Sequence, residues 1–127
     1  MLAVSKAAGI ESPCVPRIAS GFGGGIGRQG ETCGAITGGV MALGLIYGRD
    51  ITEDADAKNA VYAKTAMYMQ RFSAHHNTVL CRDITGIDMS TDEGVQSFVG
   101  QNMHEKKCNG VVTNAVVTLL EIMNQHE

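Results

Sequence analysis

Apolar positions recur at spacings of three and four along most of this chain, and strand-like alternation is nearly absent. Leu2, Val4, Ala7 and Ala8 read as a helix stopped by Gly9, followed by a turn at Ser12-Pro13-Cys14-Val15-Pro16 and a short helix over 17–20. The next helix is expected over 33–47, with Thr32 as its N-cap, Cys33 as its first residue and Gly48 as its stop. It carries no charge and is apolar on every side, the mark of a buried central helix. Small residues recur there at a spacing of four (Gly34, Gly38 and Ala42; Ala35 and Gly39), which lets another helix approach closely. Glycine inside a helix costs about 1 kcal/mol against alanine, so several together need a packing or functional reason.

Thr52-Glu53-Asp54 opens a longer helix, acidic in its first turn as the helix dipole favours. Its apolar residues Ala57, Val61, Met67, Tyr68 and Phe72 hold one face, and it ends near His75-His76-Asn77. A short helical turn is expected at Cys81–Ile84–Gly86. Ser90 followed by Glu93 reads as a capping box for a helix through Val95, Phe98, Val99 and Met103. The last helix shows a stripe of Val112, Ala115, Val116, Leu119, Leu120 and Met123. The expected fold is all-α: one domain over 1–127, a compact bundle of about five helices around a buried glycine-rich central helix.

Composition narrows the function. Over 127 residues the net charge is −3, and the nearest thing to a basic patch is Lys106-Lys107, which argues against nucleic-acid binding. The opening segment lacks the basic start and apolar run of a secretory signal, and the charge-free stretch 32–48 is too short and glycine-rich to span a bilayer. A cytoplasmic protein without membrane partners is expected. There is no Trp, and 7 Met and 16 Gly replace aromatic anchors with soft side chains and close backbone packing.

Four cysteines stand at 14, 33, 81 and 108, and without a secretory signal they point to reduced thiols, metal or redox chemistry. No C-x-x-C occurs, so any metal site has to be assembled from distant segments. Cys33 at a helix start would feel the positive end of the dipole, which acidifies a thiol, and Cys108 opens the last helix after two lysines. His75, His76 and His104 are the candidates for an additional ligand. Gly25-Ile26-Gly27-Arg28-Gln29-Gly30 matches G-x-G-x-x-G, with Asp50 standing 20 residues past Gly30. No buried strand precedes it and no parallel sheet is available, so a dinucleotide site is not expected. The loop remains free to bring backbone against a bound group, which makes Gly24, Gly25, Gly27 and Arg28 the candidate cofactor-binding residues.

Three runs carry a resemblance: 18–28 through Ser20-Gly21-Phe22-Gly23-Gly24-Gly25, 30–38 through Thr32-Cys33-Gly34-Ala35, and Met41-Ala42-Leu43-Gly44-Leu45. Together with Cys81-Arg82-Asp83-Ile84-Thr85-Gly86 and Cys108, they make the chain resemble the redox-active family named C-GCAxxG-C-C for its cysteines. The resemblance spans nearly the whole chain. It implies a helical domain, similar to one carried by split-Soret cytochromes, with Cys33, Cys81 and Cys108 as redox residues or metal ligands and an iron–sulfur cluster as the cofactor. The family's first cysteine lies upstream of the glycine loop. Here the matching helix begins at Met1 without one; the residue was lost, the start is truncated, or Cys14 substitutes. Cys14 itself is expected outside the group.

The expected function is redox chemistry on clustered cysteines, which either ligate a metal centre for electron transfer or exchange thiol for disulfide. The alternatives are a structural metal site or a helical interaction module without catalysis. A homodimer and an unidentified redox partner are the expected associations, because exposed apolar surface commonly pairs identical subunits.

Overall fold

A computed structural model describes residues 1–125. The described residues are 70% helical and include no strand, as the all-α expectation requires. Helix α1 (Leu2–Ala7) leads through a 3-10 turn (Arg17–Phe22) and a glycine turn to α2 (Gly34–Tyr47) and α3 (Ala55–His76). Short α4 (Cys81–Thr85) and α5 (Asp92–Gly100) follow. A π-helical turn (His104–Cys108) then runs directly into α6 (Asn109–Met123).

Helix α2 packs among α1, α3 and α6, which makes it the central element. Its small residues divide between two neighbours. Gly38 faces the start of the chain, where an added Cβ would stand 3.2 Å from the Met1 nitrogen. Gly39 faces α3, where an added Cβ would stand 2.5 Å from Cε2 of Tyr68. The Tyr68 ring is wholly buried, meets Phe72 edge-on at 6.3 Å and donates its hydroxyl hydrogen bond to the Ala35 oxygen at 2.7 Å. Burial holds that phenol well above its ordinary pKa, with the nearby Cys33 adding to the effect. The apolar circumference of α2 is not buried throughout, because Gly44 and Leu45 lie on an exposed edge.

Around this helix the main core gathers Val4, Ile36, Leu43, Phe72, Leu119 and Ile122 with their neighbours, and a smaller cluster joins Cys81, Met89, Phe98 and Met103. Three boundaries differ from the sequence reading. Thr32 is held in an antiparallel bridge to Leu80, so the N-cap of α2 falls on Cys33, which makes no side-chain cap. In the proposed capping box, Asp88 accepts from both the amide and the hydroxyl of Ser90, and Thr91 instead caps α5 by accepting from the Gly94 amide at 3.0 Å. The buried stripe of α6 is Val111, Ala115, Thr118, Leu119 and Ile122, which leaves Val112 half exposed. Thr118 is tolerated inside because its hydroxyl donates to the Asn114 oxygen at 2.8 Å. Among the described residues no helix is long and apolar enough to cross a membrane.

Candidate functional site

The glycine segment forms a left-handed turn. Residues 24–28 all have positive φ: Gly24 at 65°, Gly25 at 69°, Ile26 at 65°, Gly27 at 58° and Arg28 at 65°. Single left-handed residues are ordinary, but a run of five is not, and each non-glycine in it costs about 1–2 kcal/mol. Ile26 is β-branched and so especially disfavoured there. The turn is tied down by its own carbonyls: Gly23 accepts from the Arg28 amide at 3.2 Å, Gly24 from Gly30 at 3.2 Å and Gly25 from Glu31 at 2.9 Å.

Immediately after the turn, the chain pairs with the segment leading into α4. The Cys33 amide donates to the Val79 oxygen at 2.7 Å, and the Cys81 amide donates to the Glu31 oxygen at 2.7 Å. This short ladder holds the segments of Cys33 and Cys81 side by side, Cys33 at the start of α2 and Cys81 as the first residue of α4. Gly25 lies so tightly on this junction that a Cβ would come within 2.6 Å of the Cys81 Cβ and 2.7 Å of the Glu31 amide nitrogen. Cys108 arrives from the other side, as the last residue of the π turn. It does not occupy a free helix start, because the backbone passes through it helically (φ −65°, ψ −40°). The dipole argument for that thiol therefore fails.

Cys33, Cys81 and Cys108 all line one cavity of about 660 Å³, together with Gly24, Gly25, Gly27 and Arg28. Both apolar clusters supply its walls, Val111 from the main core and Met89 and Phe98 from the smaller one. His104 lines it too and meets Phe98 edge-on at 4.8 Å. His75 and His76 are not among the lining residues, and His76 packs on Phe72 at 4.6 Å instead. Cys14 is exposed in a separate groove with Val15, Ile18 and Leu45. Sequence reasoning missed Ser20, Thr85, Met89, Phe98 and Asn109 as cavity residues, and no local motif marks any of them.

All four cysteines are free thiols. Among the described residues, no three His, Cys, Asp or Glu side chains are grouped so as to hold a single metal ion. Burial pushes the Cys81 thiol above its ordinary pKa, and Cys33 and then Cys108 push it further. Burial and then Cys33 do the same to Cys108. Two of the three thiols are thus kept protonated, opposite to the acidification anticipated for Cys108.

A consequence can be measured on the reduced, metal-free protein. At pH 8, alkylation of Cys81 and Cys108 should lag well behind that of exposed Cys14, because only the thiolate reacts. Their rates should climb about tenfold per pH unit and level off only above the ordinary thiol pKa of about 8.5. Stability follows the same shift. A thiol whose folded pKa is raised contributes fully below about pH 8.5, and that contribution is lost as pH rises through the folded value. Peptide mapping of iodoacetamide labelling checks the order, and equal labelling of all four sites would contradict it.

A family model described as "Putative redox-active protein (C_GCAxxG_C_C)" matches residues 1–122. No curated protein and no solved structure matches the chain. With the match covering residues 1–122, nearly the whole sequence, the chain belongs to the redox-active C_GCAxxG_C_C family.

Proposed function

We propose that Cys33, Cys81 and Cys108 hold a thiolate-bound iron–sulfur centre in the cavity and that the protein works in electron transfer. One observation carries the reading: three thiols from three separate segments line the same cavity, while the fourth lies elsewhere. Soft thiolates are the donors that iron–sulfur clusters take. When bound, such a centre supplies one-electron chemistry.

The protein's own part is to present the thiolates, to exclude water with Met89, Phe98 and Val111, and to give up the thiol protons on loading. Burial and then the neighbouring thiols raise the pKa of Cys81 and Cys108, and metal binding takes thiolates, so loading should improve as pH rises.

Anaerobic reconstitution with iron and sulfide tests this. The expected result is visible absorption with iron and sulfide bound in comparable amounts. Cys33→Ser, Cys81→Ser and Cys108→Ser should each lower loading by about tenfold or more, since even groups behind a ligand are worth that much, while Cys14→Ser leaves it unchanged. Equal loading by the triple serine variant would overturn the reading. So would thiol–disulfide cycling in a protein that never takes up iron.

A further inference from the structure

The geometry points to a second function of the same cavity: a binding site for a small organic anion, its charged head held by Arg28 and its short apolar body lying along Met89, Val95 and Phe98. The inference goes beyond the metal-centre reading and does not require it. Three observations carry it.

The first is size. About 660 Å³ falls in the range of small-molecule sites. The second is charge. Among the described residues no Asp or Glu lines the cavity, and Arg28 is the one side chain of fixed charge that does. A guanidinium facing a carboxylate-free space selects an oxyanion.

The third is the turn itself. Its carbonyls at Gly23, Gly24 and Gly25 are taken by amides further along, so the turn is closed on itself. Arg28 lies over its start, since a Cβ on Gly24 would meet the Arg28 Cγ at 2.9 Å and the Met89 Cε at 3.6 Å. Cation and apolar wall therefore converge at Gly24.

Carboxylates and phosphate monoesters share this head-group chemistry, and the probes separate them. Hexanoate, hexyl phosphate and hexanol are titrated into the reduced, metal-free full chain, read by the amide resonances of Gly24 and Gly25 and the methyl resonance of Met89. At least one anion should bind saturably and about tenfold or more tighter than hexanol, and the tighter of the two names the head group. Arg28→Gln, a change at an exposed side chain, should weaken the anion about tenfold and leave hexanol unchanged. Equal affinity for hexanol and both anions, no saturation up to about 20 mM, or an unaltered anion affinity in Arg28→Gln would each overturn the site. Iron takes no part in these titrations, so their failure and a failure to load the thiols are separate results.

Discussion

Gly25→Ala should both unseat the thiol cavity and cost about 2–4 kcal/mol. Two physical costs combine. At φ +69° an alanine is in left-handed backbone, worth about 1–2 kcal/mol. Its Cβ would also lie 2.6 Å from the Cys81 Cβ and 2.7 Å from both the nitrogen and the oxygen of Glu31. Two of those three atoms are backbone, and no rotamer change moves them aside. The turn must separate from the Glu31–Cys81 pairing, carrying Cys81 away from Cys33. Gly27→Ala supplies the control: its φ is +58° but nothing lies within 4 Å of the added carbon, so only the conformational part, about 1 kcal/mol, should be lost. Denaturant midpoints and iron loading measured together distinguish them. If the two variants behave alike, the close approach of Gly25 to Cys81 does not govern the site.

Gly39→Ala carries the second large effect, in the core. Alanine is the better helix former by about 1 kcal/mol, so on propensity alone the change would stabilise α2. Packing reverses the sign. The new methyl would overlap Cε2, Cζ and the hydroxyl oxygen of Tyr68 at 2.5, 2.7 and 2.8 Å, and the ring, with no exposed surface, has nowhere to turn. Its bond to the Ala35 oxygen would be lost with the displacement. Overpacking of about 1–3 kcal/mol or more, plus about 1 kcal/mol for the bond, leaves a net loss of about 1–3 kcal/mol. Placed in a Tyr68→Leu background, the same substitution should be neutral or stabilising, since the obstacle is gone. Gly44→Ala, with nothing within 4 Å, should gain up to about 1 kcal/mol. A loss at Gly39 that persists without Tyr68 would refute the packing account.

The sequence made the helices legible where one side chain pattern dominated. In α3 the one-sided series ending at Phe72 and the stop at Asn77, left-handed at φ 62°, leave little choice. In α6 it did not, because valines at 111, 112, 116 and 117 offer two overlapping stripes, and only the neighbours decide which is buried. Ser90 and Thr91 are equally competent caps by chemistry, and it is Asp88 engaging Ser90 that leaves the role to Thr91. For the site, the cysteine spacing and the family resemblance brought Cys33, Cys81 and Cys108 into view, and the glycine run brought the turn. Met89 and Phe98 stayed hidden, since a wall built from separate segments has no signature in any one of them.

The π-helical turn at His104–Cys108 acts on the phase between two packing surfaces. A π turn is an α-helix with one residue too many, and each residue in an α-helix advances the azimuth by about 100°. Downstream, the azimuth is fixed by Val111, Ala115 and Leu119 in the main core. Upstream, it is fixed by Met103 in the cluster with Cys81 and Phe98. Trimming one residue would restore a regular helix and swing Met103 and His104 by about that angle relative to the seam. The two clusters are geared through that single surplus residue, with Cys108 at the point where the gears mesh.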